Sequence, residues 1–405
     1  MIPDDALNSP SRSHFAPRMG VFFAALFLIY GVHVSYFPLW LHWRGLTPAE
    51  IGTITAVPIF LRVGLTPWIA AHADAIRAHR MIVVGLAIAA FGLAALMQFG
   101  SSYLFLLATA VPFSIAIGSM MPLTETIAVS GVRAAGHDYG HMRLWGSLAF
   151  LSTTLACGWV TDLLGPASVM PVLLAATLAT VAAALFLPDP AGLKSTAEPT
   201  AAHGGEAGLT LALAANPLFA AFLIAVGTIL CSHAAFYTFG AVHLQAQGIS
   251  GRAFGVLWAV SIMAEIGLLA FSSAILARIA PLQLVMLAGA AGLVRWGTMS
   301  LDPPFAVLMV LQALHGLTYG ATHLGAIHFM ARAVPGRGAG TAQGLYSAIG
   351  AGLFTGLATL AAGQVYPALG GATFLVMAGL CAAGCVSALW LARSWDERPI
   401  LEAPN

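Results

Sequence analysis

Charged side chains are scarce in this chain. Asp, Glu, Lys and Arg make up 8% of the 405 residues, and Lys194 is the only lysine. A soluble globular domain carries about 25% charged residues, so that class is excluded. The formal net charge of +1 provides no excess of basic residues for binding nucleic acid.

Cysteine is also rare, and the motifs of common enzymes are missing. The chain has four cysteines, all in apolar stretches, where a thiol behaves as a small hydrophobe. No His-Glu-x-x-His sequence occurs, and the segments between the apolar stretches are too short to hold a soluble active site. We therefore expect a protein that is not an enzyme and that needs no metal or cofactor.

What the chain has instead is long apolar runs. Hydrophobic residues make up 59% of it, and the mean hydropathy is +0.89. Because about 20 apolar residues cross a bilayer as a helix, the pattern predicts about twelve spans, near 19–41, 50–71, 81–99, 103–130, 142–163, 167–187, 213–242, 252–275, 281–300, 304–330, 340–365 and 370–392. The fold class is an all-α membrane protein whose main partner is the lipid bilayer.

The distribution of Lys and Arg predicts the orientation. With a cytoplasmic N-terminus, inner segments carry eleven of these residues outside the spans, whereas the outer loops carry only Arg44 and Arg252. Positive residues favour the cytoplasmic side. We expect a multi-pass protein of a bacterial cytoplasmic membrane, with both termini inside.

The two halves of the chain resemble each other. Residues 45–52 (GLTPAEIG) align with 248–255 (GISGRAFG), and residues 155–165 match 360–370 at six of eleven positions. A Pro-, Gly- and Ala-rich stretch lies between the halves. This predicts a six-helix bundle over 1–187, a cytoplasmic linker over 188–212 and a second six-helix bundle over 213–405, a plan typical of transporters with parallel repeats. The repeat places Arg62 at the position equivalent to Glu265.

Five ionisable residues lie in or at the start of predicted spans: Arg62, Glu125, Arg143, Glu265 and Arg295. A charge in hydrocarbon costs roughly 2.5–3.5 kcal/mol on insertion scales and is kept mostly where it faces water or a partner. The set therefore indicates a polar path through a helix bundle, which is typical of a transporter.

Several segments resemble the phenylpropionate permease family of the major facilitator superfamily. They are residues 122–126 (PLTET), 138–147 (DYGHMRLWGS), 233–248, 257–267, 293–299 and 311–332. The resemblance runs from about Phe37 to Trp390 and implies the major facilitator fold, in which two half-bundles rock about a midplane site. The loop AHADAIRAHR (71–80) partly matches the superfamily's loop signature but has Ala70 in place of its glycine.

The family is similar in turn to lactose permease, which implies roles for individual residues. Glu125 and Arg143 fall on its sugar-binding acid and arginine, and Glu265, Arg295 and His315 on members of its binding and proton-coupling set. Three departures disfavour lactose-like chemistry: Thr318 replaces the proton-carrying glutamate, Phe150 replaces the stacking tryptophan, and no lysine lies in a span.

The candidate residues divide into three groups. Substrate-binding candidates are Arg143, Arg295, Glu125, His315, Tyr237 and His33. Proton-coupling candidates are Glu265, Glu125 and His315. Gating candidates are Arg62, Asp74, Arg77 and Arg80. Alternatives stay open: Glu125–Arg143 and Glu265–Arg295 could be permanent ion pairs that lock helices, Arg62 could bind substrate, and the loop 71–80 could simply be solvated.

These observations predict proton-coupled import of a small aromatic carboxylate such as 3-phenylpropionate, by a protein that can act as a monomer. The arginines would neutralise the carboxylate while an acid or a histidine takes the proton. The alternative keeps the fold but carries a nucleoside, sugar or drug, by symport or efflux.

Overall fold

The computed structural model describes residues 14–135, 138–188 and 206–400. Within these ranges the chain is helical and contains no β-strand. Eleven stretches are long and apolar enough to cross a membrane, and the last of them, Ala339–Ser394, contains two helices. The prediction of an all-α membrane protein with about twelve spans is confirmed.

The first six spans are single helices. They are α1 (Phe15–Trp43), α2 (Pro48–Ile76), α3 (His79–Leu96), α4 (Tyr103–Ala135), α5 (Tyr139–Leu164) and α6 (Val169–Leu185). The Asp138 side chain caps α5 by accepting a hydrogen bond from the His141 amide. Gly165, with φ +78°, ends the same helix in a backbone conformation that favours glycine.

The second six spans are less regular. They are α7 (Pro217–Cys231 and Ala234–Ala246), α8 (Gly251–Ala270), α9 (Pro281–Met299), α10 (Phe305–Ala313, Gly316–Ala321 and Thr322–Ala333), α11 (Ala339–Leu345, Tyr346–Leu353 and Phe354–Leu369) and α12 (Thr373–Ser394). The short helix Ser272–Leu276 follows α8. Asn216 caps α7, with Pro217 at its first position.

The end of the predicted 188–212 linker is helical. A helix, Glu206–Ala215, occupies the end of the proposed 188–212 segment and continues past it. The composition of this stretch is rich in small residues, but its last part (EAGLTLALAA) has few helix breakers, so that it can form a helix before Asn216 starts α7. Residues 189–205 lie outside the described ranges.

Three interruptions in regular helical geometry lie in the second half. The α7 helix breaks at Ser232 and His233, and wide π-helical turns occur at Gly316–Ala321 in α10 and Tyr346–Leu353 in α11. Such turns are rare and are frequent at functional sites. His233, Thr318 and Tyr346 lie at these interruptions.

The chain forms two compact units whose limits differ from the predicted 1–187 and 213–405. Unit 1 comprises residues 1–47, 60–200 and 250–255, and unit 2 comprises residues 48–59, 201–249 and 256–405. Residues 48–59 belong to unit 2 and residues 250–255 to unit 1, and each segment makes a close glycine contact within its unit. Within unit 2, Gly52 lies against the Gly363 backbone, and within unit 1, Gly251 lies against the Gly158 backbone.

Candidate functional site

The candidate residues of unit 2 form a buried polar cluster around Arg295, which is 1% exposed. The Arg295 guanidinium donates through Nη1 to His315 Nδ1 at 3.1 Å and to Thr318 Oγ1 at 2.9 Å, and through Nη2 to Gln312 Oε1 at 2.7 Å. Its Cζ lies 4.3 Å from the centre of the Trp296 ring. We call Glu265, Arg295, Gln312, His315 and Thr318 the unit 2 cluster.

The hydrogen bonds determine the protonation of His315. A guanidinium only donates, so Nδ1 of His315 accepts from Arg295 and carries no proton. The ring proton then lies on Nε2, which is 3.6 Å from Glu265 Oε2. In this arrangement His315 is a neutral bridge between a permanent cation and a carboxyl group.

The same reasoning applies to His233 at the break in α7. A backbone carbonyl only accepts, so Nδ1 of His233 donates to the Leu230 oxygen at 3.0 Å. Nε2 accepts from the Thr318 hydroxyl at 3.0 Å, and that hydroxyl accepts from Arg295. The protons of these hydrogen bonds are thereby assigned, whereas Arg295 Nε and Gln312 Nε2 have no acceptor among the described residues.

Glu265 is the more accessible end of the unit 2 cluster, with 24% of its side chain exposed. The Glu265 Cγ packs over Gly320 of the π-helical turn. A Cβ atom at position 320 would lie 3.5 Å from it, in ordinary van der Waals contact. His323, one turn further along α10, interacts electrostatically with Glu265, and its Nδ1 lies 2.9 Å from the Tyr346 hydroxyl. The carboxyl group thus lies between two histidines of the same helix.

Tyr237 lies beside the unit 2 cluster. Its ring stacks on Trp258 at 5.4 Å, and its centre is 6.4 Å from that of His315. The half-buried ring offers an aromatic surface next to the polar groups.

The candidate residues of unit 1 form a second group with a different character. Tyr139 Oη donates to Glu125 Oε1 at 3.2 Å, and the same hydroxyl interacts with Arg143. The Arg143 guanidinium lies 4.0 Å from the centre of the Phe27 ring. Arg62 interacts electrostatically with Tyr30 and His33. We call Tyr30, Arg62, Glu125, Tyr139 and Arg143 the unit 1 cluster, and all five are partly exposed.

His33 borders the unit 1 cluster and is held by its neighbours. Its Nε2 lies 3.2 Å from the Ser114 hydroxyl, and its ring stacks on Phe37 at 5.0 Å. The ring is partly exposed, so it can contact a ligand while the hydroxyl keeps its orientation.

Neither of the two ion pairs left open by the sequence forms in the described part of the chain. Tyr139 stands between Glu125 and Arg143, and His315 stands between Glu265 and Arg295. In both units a neutral side chain separates the acid from the base. Neither acid is therefore locked to its arginine by a direct ion pair in the described structure.

The gating candidates near the end of α2 make mixed contacts. Asp74 pairs with His79 at 2.8 Å, and the exposed Arg77 has φ +51°. Arg80 donates to the Leu185 carbonyl at the end of α6, at 2.7 Å. Arg80 thus links α3 to α6, whereas the acid and the arginines of this loop do not pair with one another in the described structure. Arg62 lies away from this loop, with the unit 1 cluster.

Sequence reasoning missed three residues that make contacts between helices. Tyr139 follows Asp138 in a segment already singled out, yet only packing shows that it contacts Glu125. Gly118 supports the Arg62 side chain. Asp162, near the end of α5, accepts hydrogen bonds from the Gly251 and Arg252 amides and from Arg252 Nε at 2.9 Å. Nothing in the local sequence distinguishes this acid from a solvated one.

Comparison with known proteins establishes the family. The model of the MFS_1-like family, a branch of the major facilitator superfamily, matches residues 18–377. The chain belongs to this family. It is a secondary transporter and a multi-pass membrane protein, in agreement with its helical fold and with the transporters that resemble it.

Two curated relatives and one solved structure illustrate the range of this similarity. A probable 3-phenylpropionic acid transporter of Escherichia coli is 29% identical over 87% of this chain and 91% of its own length. The maltose permease of Geobacillus stearothermophilus is also 29% identical, over 86% and 88%. The crystal structure of the nucleoside transporter NupG superposes with a TM-score of 0.80 at 16% identity, covering 94% of this chain and 98% of that one. The last similarity shows the fold alone.

Proposed function

We propose that this transporter imports a small aromatic carboxylate, such as 3-phenylpropionate, together with a proton. The observation that carries the proposal is the chain from Arg295 through neutral His315 to Glu265. A permanently charged guanidinium is buried there without a carboxylate at ion-pair distance among the described residues. Glu265 supplies the compensating charge across the imidazole.

Protonation of Glu265 removes that compensation. The unit 2 cluster then carries an unbalanced positive charge, and binding of an anion becomes more favourable. Because linkage is reciprocal, a bound anion favours the proton by the same factor. Anion and proton together are neutral, which avoids roughly 2.3 kcal/mol per charge for each 100 mV of opposing membrane potential.

The surroundings of the unit 1 cluster support an aromatic substrate. The rings of Phe27 and Tyr30 lie 5.2 Å apart, and the Arg143 guanidinium faces the Phe27 ring. Aromatic rings favour offset or edge contacts with another ring. The relative named as a probable 3-phenylpropionic acid transporter supports the same choice.

The competing cargo is a sugar, nucleoside or drug. The maltose permease is as similar in sequence as the phenylpropionic acid relative. Against a sugar stand Phe150 at the position of the sugar-stacking tryptophan and the lack of lysine in any span. A competition experiment therefore has to include maltose and a nucleoside beside the acid.

We further infer that both termini and the 188–212 segment face the cytoplasm of a bacterial inner membrane, and that a monomer transports. The distribution of arginine supports this orientation. A reporter enzyme that is active only outside the cytoplasm, fused at the C-terminus, should be inactive. Active fusions would contradict the orientation.

The function is tested by uptake of labelled 3-phenylpropionate into vesicles, with and without an inward proton gradient. Wild type should accumulate the acid only with the gradient. Glu265→Gln, which imitates the protonated carboxyl group, should lose accumulation but still exchange external for internal substrate. Absence of uptake in wild type, with uptake of maltose or a nucleoside, would reject the proposed cargo.

A further inference from the structure

Arg62 differs from Arg295 in that its guanidinium makes no hydrogen bond to the described residues. Within the described ranges no carboxylate lies at ion-pair distance from either arginine, and the Nε of each is buried without an acceptor, but only Arg295 donates hydrogen bonds through its Nη atoms. A buried donor without an acceptor costs about 1–3 kcal/mol. A guanidinium with these properties is expected where a ligand supplies the acceptors.

The structure provides a specific support for this side chain. Arg62 lies directly against Gly118 of α4, so close that a Cβ atom there would overlap its Cδ and Nη1. Only glycine allows the side chain to occupy this position. The Tyr30 hydroxyl donates to the Ile117 carbonyl at 2.9 Å, which orients the ring, and it forms no hydrogen bond with the Arg62 guanidinium.

The charges of the unit 1 cluster favour one extra negative charge. Arg62, Arg143 and Glu125 all interact electrostatically with Tyr30. Two guanidiniums and one carboxylate leave one positive charge. Glu125 is already bonded to Tyr139, and the Arg143 guanidinium lies on Phe27. Arg62 is therefore the guanidinium that remains free to form a paired hydrogen bond.

We propose that Arg62 binds the substrate carboxylate, a role distinct from gating. The planar guanidinium can donate two parallel hydrogen bonds to a carboxylate. The partly exposed rings of Tyr30 and His33, which pack against Phe27 and Phe37, would provide aromatic surfaces for the apolar part of the same molecule. The chemical class is an aromatic monocarboxylate. This inference rests on the proposed function, because it assumes that the cargo is a carboxylate.

The test measures binding of 3-phenylpropionate and of its neutral amide, 3-phenylpropanamide, to the purified full-length protein by calorimetry. Arg62→Gln should weaken binding of the acid by about tenfold to a hundredfold, the usual range for a hydrogen bond to a charged group. Its effect on the amide should be less than about threefold. Arg62→Lys should be intermediate, because it keeps the charge but not the fork.

A second variant moves Arg62 without removing it. Gly118→Ala places a methyl group against the flexible Arg62 side chain, which can shift without unfolding the protein. It should weaken binding of the acid and spare that of the amide. Gly92→Ala, at a glycine of α3 with open space around it, is the matched control and should change neither.

The outcomes separate this inference from the proposed function. If wild type binds the acid and Arg62→Gln binds it equally well, Arg62 is not the carboxylate ligand and the proposed function stands. Equal losses for acid and amide in Arg62→Gln would show a merely structural role and would also overturn the inference. If wild type binds no aromatic carboxylate, both proposals fail.

Discussion

The unit 1 and unit 2 clusters contain similar residues but treat their charges differently. In unit 2, Arg295 is fully buried and donates to Gln312, His315 and Thr318. In unit 1, Arg62 is partly exposed, and its guanidinium makes no hydrogen bond to the described residues. The first arrangement holds a charge in place, whereas the second leaves hydrogen-bonding capacity unused.

This difference suits the two clusters to different functions, namely proton binding and substrate binding. A buried network of hydrogen bonds changes little when a ligand arrives, but it responds strongly to the protonation of a group at its edge, here Glu265. An accessible guanidinium responds to the ligand itself. The contrast between Arg295 and Arg62 is consistent with one cluster sensing the proton and the other binding the anion.

The largest effect should come from removing the buried cation. Arg295→Met leaves the acceptors of Gln312, His315 and Thr318 without their donor, at about 1–3 kcal/mol for each group that stays unsatisfied. We expect a large fall in the melting temperature of the purified protein. Arg62→Met, which removes no hydrogen bond to the described residues, should melt near the wild-type temperature. Equal falls in the two variants would remove the contrast between the clusters.

The next effect tests whether His315 is a bridge or a proton carrier. A glutamine at this position can accept from Arg295 through its oxygen and present an N–H toward Glu265, as the neutral imidazole does. His315→Gln should keep gradient-driven uptake within about tenfold of wild type, whereas His315→Leu should lose it because the Arg295 donor is left unpaired. Loss of coupling in His315→Gln, with substrate exchange retained, would identify His315 as the carrier.

A matched pair of tyrosines sharpens the comparison. Tyr346→Phe removes the bond to His323 from a buried site, and the loss should be about 0.5–1.5 kcal/mol of unfolding free energy. Tyr139→Phe removes the half-exposed bond to Glu125 and should cost less stability, but it should alter substrate affinity because Glu125 and Arg143 lose the group between them. Chemical denaturation and binding measurements on both variants provide the check. The reverse pattern would show that unit 1 is the more tightly built.

The smallest effect concerns the start of α5. Hydrogen bonds from the His141 side chain and amide lower the pKa of Asp138. Because the pKa of Asp138 is lower in the folded chain than in the unfolded chain, the ionised carboxylate stabilises the folded state at pH values above the unfolded pKa. This stabilisation is lost as the pH falls through the folded pKa. Asp138→Asn should keep the cap and lose this acid dependence, whereas Asp138→Ala should lose both. Melting curves at acid and neutral pH measure the difference, and identical pH profiles for wild type and Asp138→Asn would contradict it.

Much of the fold could be predicted from composition and spacing. A chain with 8% charge and twelve long apolar runs has few alternatives to a helical membrane protein, because every backbone polar group in lipid must be paired within helices or barrels. The same cost singles out Glu265, Arg295 and Arg62 as functional candidates. The cost of placing a charged side chain in the bilayer depends on the residue type and on the length of the apolar run around it, so it can be estimated without a structure.

The partners of those residues were decided by tertiary structure. That Arg295 bonds to His315, that Tyr139 lies between Glu125 and Arg143, and that Arg62 rests on Gly118 all depend on contacts between different helices. The π-helical turns of α10 and α11 likewise have no local sequence pattern that predicts them. The sequence determined which side chains are too costly to leave in lipid. Only packing, at distances of about 3 Å between helices, decided which of them are satisfied by the protein and which are left for a ligand.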